Sequence, residues 1–305
     1  MRESSRGLLL AVGAYLVWGV MPMYVVLMEG IGAIELIGWR ILASLVVAAI
    51  IVTVVRGWSR IRAVLRDRRS MLFLCLSGVA ILANWTVFAY AVLSQHIVET
   101  SLGYFLNPIL SVVLAVVVLR ERLRPAQWVA VGISSVAVVV LVVGYGTFPW
   151  IALVLAVSFG TYGLLKKQVG AKVDAITGFT IETAATLPIS MAMLVGSIVI
   201  VGPTILEVSP GQQWAVLGFG VVTALPLMLF SAAARRVSLA TLGFTQYIAP
   251  SMSLAFGVLV MGEPMPLERL VGFAIVWLAL AVLMVDLVVA ERSRRRALAV
   301  PLPAP

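Results

Sequence analysis

The chain is a succession of long apolar segments separated by short polar connections. Ten segments of about 20 residues are continuously hydrophobic, which is the length that an α-helix needs to cross a bilayer. Continuous apolar runs favour helices over the strands of an outer-membrane barrel, whose residues alternate between apolar and polar. The pattern predicts an all-α integral membrane protein with ten transmembrane helices. The predicted spans cover residues 7–27, 35–55, 71–93, 99–119, 126–143, 150–166, 175–200, 213–234, 240–260 and 270–289.

The composition excludes a water-soluble fold. Hydrophobic residues make up 62% of the 305 residues and charged residues only 11%, against about 45–50% and about 25% in soluble domains. The mean hydropathy is +1.11. So few charges cannot cover a surface that faces water, and the connections between the spans leave no room for a soluble domain.

The positive charges predict the orientation of the chain. Twenty of the 22 lysines and arginines lie at the N-terminus, in the even-numbered loops or in the C-terminal tail, whereas Arg269 lies on the opposite side and Arg40 lies within a span. Lysine and arginine collect on the cytoplasmic side of a membrane, so both termini are predicted to be cytoplasmic in a multi-pass inner-membrane protein. The arginine-rich stretch 56–69 is interpreted as a membrane anchor, partly helical along the surface, and no nucleic-acid partner is expected.

A weak internal repeat has a period near 142 residues. Pro108 precedes Glu121 by 13 positions, and Pro250 precedes Glu263 by the same distance. Each repeat then holds five spans, and an odd number turns the second copy upside down. The predicted units are a first repeat over residues 7–143, an inverted second repeat over 150–289 and a basic cytoplasmic tail over 290–305. Two inverted repeats are typical of alternating-access transporters, which bind substrate near the midplane between the repeats.

Several stretches carry a family resemblance that extends over nearly the whole chain. The chain resembles the chloramphenicol-sensitivity (RarD) branch of the EamA-type drug/metabolite transporters. The resemblance implies a ten-span inner-membrane permease that exports a small metabolite or an amphipathic drug, and it does not imply a particular substrate. The stretches are YLVWGVMP at residues 15–22, Glu35 with Trp39-Arg40, Asn84-Trp85, SLGYFLNP at 101–108, TALP at 223–226, GFTQYIAP at 243–250 and GEP at 262–264.

Arg40 and Glu182 are the two charges placed within predicted spans at equivalent positions of the repeat. An arginine near the centre of a membrane helix costs about 2.5–3.5 kcal/mol on insertion scales. Arg40 is therefore expected to anchor a substrate carboxylate or phosphate, to join a gate ion pair, or to snorkel to the outer headgroups. Glu182 is a candidate proton carrier, or alternatively a structural hydrogen-bonding group between helices. Inversion separates the two residues by about 15 Å in depth, so a salt bridge between them is not assumed.

Polar and aromatic residues near prolines complete the candidate site. A proline within a span frees a backbone carbonyl, which is tolerated beside a cavity or a neighbouring helix. Carbonyls, amides and rings together suit a mid-sized amphipathic solute, although kinks with interhelical hydrogen bonds are the simpler interpretation. The candidate substrate-binding residues besides Arg40 and Glu182 are Trp18, Asn84, Trp85, Tyr104, Asn107, Tyr162, Gln246 and Tyr247, and the candidate kink residues are Pro22, Pro108, Pro226 and Pro250.

The chain lacks the motifs of known enzyme chemistry. It has one histidine and no zinc-protease, nucleophile-elbow or phosphate-loop pattern. His96 and Glu99 favour a contact at the external helix ends over a metal site. No cofactor is expected; the expected partners are a small-molecule substrate and the lipid bilayer, while protons as the coupling ion and a homodimer stay open. The alternative function is a membrane-embedded enzyme or lipid-head-group-binding protein that uses the same polar cavity.

Overall fold

The computed structural model describes residues 2–119, 124–145, 148–169, 172–234, 236 and 245–298, and these residues form helices and no strands. A single turn of 3-10 helix covers Thr204–Leu206. The α-helices are α1 (Arg2–Gly19), α2 (Met21–Val26), α3 (Ala33–Val54), α4 (Trp58–Leu65), α5 (Arg68–Leu93), α6 (Ile97–Leu119), α7 (Pro125–Tyr145), α8 (Trp150–Val169), α9 (Ala175–Val201), α10 (Pro210–Ala234), α11 (Ile248–Leu259) and α12 (Leu267–Leu298).

The predicted spans coincide with helices, with three differences. The first span is interrupted at Val20, between α1 and α2. The structure describes the ninth span as a helix only from Ile248. The last helix continues to Leu298 through the predicted tail, because residues 290–298 contain good helix formers and neither glycine nor proline. In the described part of the chain six helices are long and apolar enough to cross a membrane, so the number of ten spans stays a prediction.

Three pairs of equivalent helices pack against each other in antiparallel fashion. Along α3 and α9, the start of one lies beside the end of the other: Gly38 contacts Leu194, while Ala48 clusters with Phe179. Helices α6 and α11 run in opposite directions in the same way, and so do α7 and α12. A two-fold axis along the helices would make equivalent helices parallel, whereas an axis across them makes them antiparallel. The packing is therefore that of two inverted repeats.

Contacts between non-equivalent helices obey the same symmetry. Helix α1 packs on α10 as α8 packs on α5, and α10 packs on α3 as α5 packs on α9. Glycines at equivalent positions permit the contact of α10 with α3 and the contact of α5 with α9. A Cβ atom on Gly78 would lie 3.1 Å from the carbonyl oxygen of Glu182, and one on Gly220 would overlap the carbonyl of Ala43 and lie 2.8 Å from Val47 Cγ2. Backbones this close are typical of membrane helix interfaces, where small residues let helices approach.

Ion pairs join the two repeats at the predicted cytoplasmic end. Arg60 contacts Asp174 at 3.4 Å, and Lys172 contacts Asp67 at 3.7 Å. Asp67 also caps the N-terminus of α5, and hydrogen bonds from the hydroxyl and the backbone amide of Ser70 hold the pKa of its carboxyl below the usual range. Since these side chains are largely exposed, each pair contributes little to stability, and together they orient the loops.

Replacing Gly220 with valine is expected to separate α10 from α3 and to destabilise the fold, because overpacking of a tight interface costs about 1–3 kcal/mol. The midpoint of thermal unfolding of the purified protein in detergent measures the effect. Gly132→Val is the matched control, since nothing lies within 4 Å of a Cβ atom at that position. Equal midpoints for the two variants would contradict the close contact of α10 with α3.

Candidate functional site

Arg40 is buried among helices of both repeats. It is seven residues into α3, or about 10 Å along the helix, and only 4% of it is exposed. Its guanidinium carbon lies 4.0 Å from the ring centre of Trp85 and 5.0 Å from that of Phe219. Tyr104 of α6 is close enough to interact with it electrostatically. Helices from both repeats, α3, α5, α6 and α10, therefore surround one cation.

No acidic side chain of the described residues pairs with Arg40. The structure describes five buried charged residues, and the other four are carboxylates with hydrogen-bond donors. The Nε atom of Arg40 is buried and has no hydrogen-bond partner among the described residues. Cation–π contacts compensate partly for the lost hydration, by about 2 kcal/mol when desolvated. A buried cation without a counterion is the feature expected of a site that receives an anion from elsewhere.

Other buried polar atoms lie on the same helices without partners. Ser44 follows Arg40 by one helical turn on α3, and Thr223 follows Phe219 by one turn on α10. The hydroxyl oxygens of Ser44 and Thr223 and the side-chain carbonyl oxygen of Asn107 on α6 are buried without a hydrogen bond in the described structure. Because an unsatisfied buried polar group costs about 1–3 kcal/mol, a cluster of such groups favours a ligand or water as the missing partner.

Asn84 connects three helices through hydrogen bonds next to Arg40. Its amide nitrogen donates to the carbonyl oxygen of Leu155 and to the hydroxyl of Ser158, both at 3.0 Å, and its oxygen accepts from Tyr104 at 3.2 Å. These bonds join α5, α6 and α8. The hydrogen-bonding capacity of Asn84 is thus largely used inside the protein, and its role in this conformation is to fix Tyr104 near Arg40.

Glu182 forms a second polar cluster with different partners. Its carboxylate accepts a 2.5 Å hydrogen bond from Ser77 of α5 and pairs with the ammonium of Lys166 of α8 at 3.1 Å. The Lys166 ammonium also lies 5.7 Å from the ring centre of Tyr162. The carboxylate side chain is 5% exposed and that of Lys166 is 29% exposed. Arg40 and Glu182 do not pair with each other, as expected from their different depths.

Three buried carboxylates bind helix ends on the predicted external side. Glu263 accepts hydrogen bonds from the first two backbone amides of α6, at 2.5 and 2.8 Å. Glu99 accepts from two amides in the first turn of α8, and Glu35 accepts from the backbone and hydroxyl of Thr204. The first amides of a helix lack internal partners and carry partial positive charge, so each carboxylate is well placed. The three carboxylates thus link separate segments of the chain at the predicted external end.

Three of the predicted binding residues have neighbours other than Arg40, although Trp18 packs against the main hydrophobic cluster, to which Phe219 belongs. Trp18 packs against Tyr15, with ring centres 5.1 Å apart, where α1 meets α10. Tyr247 stacks on Phe105 at 6.2 Å, within a separate hydrophobic cluster, and the half-buried Gln246 precedes it. The structure thus divides the predicted residues into an Arg40 cluster, a Glu182 cluster with Tyr162, and these three other positions.

The prolines differ in their effect on the helices. Pro22 is in the first turn of α2, directly after the interruption of the first span, and Pro250 is in the first turn of α11. Pro226 lies inside the continuous helix α10, and Pro108 lies within the bounds of α6. The sequence analysis did not name Pro188, which lies inside α9 six residues after Glu182. Glu121 is outside the described residues.

Several residues of the two clusters were not anticipated. Phe219, Ser44 and Thr223 have ordinary apolar or small polar side chains within spans, and only their one-turn spacing could have indicated a shared face. Lys166 was counted as part of the positive cytoplasmic loop, although it lies in the last turn of α8 and contacts Glu182. Ser77 carries no sequence signal of its own, because its importance arises from the approach of α5 to α9.

The described residues contain no group of side chains arranged to bind a metal ion: no three histidine, cysteine, aspartate or glutamate side chains come together there as metal ligands would. Two open depressions of about 330 and 370 Å³ are lined by neither Arg40 nor Glu182. Access to Arg40 therefore requires movement of the helices around it.

The fold and the site define a multi-pass membrane protein of the transporter class, built from two inverted repeats around buried polar clusters. The model of the EamA-like transporter family matches residues 5–143 and again residues 148–285. The chain belongs to this family, and its relatives place it in the RarD branch.

Relatives cover almost the full length of the chain. It is 42% identical to "Protein RarD" of Streptomyces exfoliatus, over 96% of this chain and 93% of the relative. It is 40% identical to an "uncharacterized transporter" of Pseudomonas aeruginosa, over 95% and 96%, and 36% identical to "Protein RarD" of Escherichia coli, over 95% and 98%. One solved crystal structure of a protein superposes with a TM-score of 0.58 at 18% identity, covering 90% of this chain and 96% of that chain. That likeness shows the fold alone.

Replacing Glu263 with glutamine is expected to destabilise the protein by about 1–3 kcal/mol, because an amide offers one acceptor where two backbone amides need two. The midpoint of unfolding in detergent measures the change. Glu268→Gln removes the same charge from an exposed position in the first turn of α12 and serves as the control. If both variants unfold at the wild-type midpoint, Glu263 does not hold the start of α6.

Proposed function

We propose that the protein is a secondary transporter that moves a small metabolite or amphipathic drug across the inner membrane by alternating access, in the outward direction that the family resemblance implies. The observation that carries the proposal is the buried guanidinium of Arg40, which lies between helices of both repeats and has no counterion among the described residues. A charge in that position is costly unless it binds something.

The symmetry of the repeats supports alternating access. Helices α3 and α9 carry Arg40 and Glu182 at equivalent positions, and the two residues lie at opposite depths. In this structure carboxylates hold the external helix ends together, and Arg40 is almost fully buried. If each repeat took up the conformation of the other, the site would open to the opposite face of the membrane. Inverted repeats permit this movement.

Transport is testable with purified protein in proteoliposomes on a solid-supported electrode, with amino acids, chloramphenicol and small organic anions applied under two imposed pH gradients. We expect a saturable response to at least one solute, which Arg40→Ala abolishes because the buried cation contacts the solute. Arg62→Ala, which removes an exposed charge on α4, is expected to keep the response.

An electroneutral transport cycle produces no current, so uptake of radiolabelled solute into the vesicles is measured as well. Absence of both current and uptake with folded wild-type protein would contradict transport of the tested solutes. If the silent protein nevertheless bound lipid headgroups in an Arg40-dependent manner, the lipid-binding function would replace the proposal.

We further propose that protons drive the cycle through Glu182. Its carboxylate is buried, and the groups that face it are the ammonium of Lys166, the hydroxyl of Ser77 and the ring of Tyr162. Protonation of Glu182 would break its ion pair with Lys166, whose partly exposed side chain could then turn towards the cytoplasm. The contact between α8 and α9 would thereby depend on the protonation state of Glu182.

Glu182→Gln separates coupling from binding. The variant mimics the protonated acid, so it is expected to lose accumulation driven by a pH gradient while it still exchanges labelled for unlabelled solute across the membrane. Both assays use the same vesicles, and Glu268→Gln is the control for a lost surface carboxylate. Gradient-driven accumulation at the wild-type rate in Glu182→Gln would exclude Glu182 as the proton carrier.

A further inference from the structure

We infer that the solute is anchored by a single carboxylate, held by the edge of the Arg40 guanidinium, and that the rest of the solute is compact and apolar or aromatic. This inference rests on the proposed transport function and specifies the chemical class of its substrate. The juxtaposition that carries it is an unpaired guanidinium flanked by two aromatic rings, with unpartnered hydroxyl groups one helical turn further along two of the same helices.

The electrostatics of the site select an anion. A guanidinium stays protonated under all physiological conditions, so burial does not remove its charge. Four of the five buried charged residues in the described structure are carboxylates, and each is engaged elsewhere: three at the external helix ends and Glu182 with Lys166. No described carboxylate is thus left to neutralise Arg40. A cationic solute would be repelled, and a neutral solute would leave the charge uncompensated.

The geometry favours a carboxylate within the class of anions. Trp85 and Phe219 lie 4.0 and 5.0 Å from the guanidinium carbon and occupy the space that a stacking ligand would use. The N–H donors along the edge of the plane then remain for binding, and their fork matches the two oxygens of a carboxylate. Ser44 and Thr223, one helical turn beyond Arg40 and Phe219, are buried hydroxyl groups that have no hydrogen-bond partner among the described residues.

The number of available cations argues against a phosphate dianion. Two negative charges in a buried site call for two positive groups. The ammonium of Lys166 is held by Glu182 at 3.1 Å, so this cation does not serve as the second positive group. One unpaired arginine matches one negative charge.

The walls of the site indicate an apolar remainder of the solute. Trp85, Tyr104 and Phe219 belong to, or pack against, the main hydrophobic cluster of the protein, together with Ile37 and Ile41 of α3. Such walls suit a ring or a short branched chain. An ammonium group on the solute would call for a carboxylate, and each of the four buried carboxylates of the described structure is engaged elsewhere.

The first experiment needs no variant. The probes are 3-phenylpropanoate, its uncharged analogue 3-phenylpropanamide, the zwitterion phenylalanine and the dianion phenyl phosphate, which share an aromatic body and differ in the head group. Saturable stabilisation against heat and quenching of tryptophan fluorescence are measured on the full chain in detergent. We expect 3-phenylpropanoate to bind about ten-fold or more tightly than the amide, since a charge-assisted bidentate contact is lost in the amide.

The second experiment links the effect to the arginine. Arg40→Gln is expected to bind the carboxylate and the amide equally, and Arg40→Lys, which keeps the charge without the fork, is expected to lie between Arg40→Gln and the wild type. Arg62→Gln is the matched control at an exposed site and should retain the preference. If Arg40→Gln does not fold, Trp85→Leu provides a second variant, because loss of the ring changes the surroundings of the guanidinium without removing its charge.

The outcomes distinguish the substrate class from the transport function. Equal binding of 3-phenylpropanoate and its amide to the wild type, or tighter binding of phenyl phosphate, overturns the inference about the carboxylate. Tighter binding of phenylalanine than of 3-phenylpropanoate shows that an amino group is also recognised and overturns the apolar remainder. Saturable uptake of uncharged solutes alone would leave transport in place and refute the anion, whereas carboxylate binding without uptake of any bound probe would refute transport and keep the anion site.

Discussion

A charged or polar group in the interior of a membrane has no water to satisfy it, and this constraint governs the whole structure. Glu35, Glu99 and Glu263 are buried, and each accepts hydrogen bonds from backbone amides of another segment. Glu182 meets the same requirement through Lys166 and a serine. The carboxylates therefore act as joints between helices that cannot attract each other through the hydrophobic effect, because lipid is as apolar as their side chains.

Arg40 departs from this rule, and this is why we propose it as the place where the solute binds. Its charge is permanent, its surroundings are aromatic, and its Nε atom has no acceptor in the described structure. Aromatic rings lower the cost of burying the cation, yet they leave its hydrogen-bonding edge available. With an anionic partner from the protein, Arg40 would form a structural contact like those of the four buried glutamates. A transported solute can supply this missing anion.

The inverted repeats give the two clusters a shared geometry and different chemistry. Gly78 and Gly220 occupy equivalent positions and permit equivalent close contacts, α5 on α9 and α10 on α3. On these common interfaces one repeat carries an unpaired cation and the other carries an anion with its own cation, at different depths. In the proposed transport cycle the bundle alternates between two related conformations, and a solute at Arg40 and a proton at Glu182 would affect that equilibrium at separate places.

The sequence by itself determined the membrane class, the helices and the repeat, since these follow from hydrophobic length, the distribution of arginine and lysine, and a spacing of about 142 residues. It also determined that Arg40 and Glu182 were exceptional, because a charge inside an apolar segment is costly wherever the segment packs. Only the tertiary structure decided which groups surround each charge. Phe219 and Thr223 lie some 180 residues from Arg40 along the chain. Lys166 was assigned from the sequence to a positively charged loop, whereas the structure pairs it with Glu182. The reason is that insertion into the bilayer depends on the local composition of each helix, whereas ion pairing depends on which helices approach one another and on the glycines that let them do so.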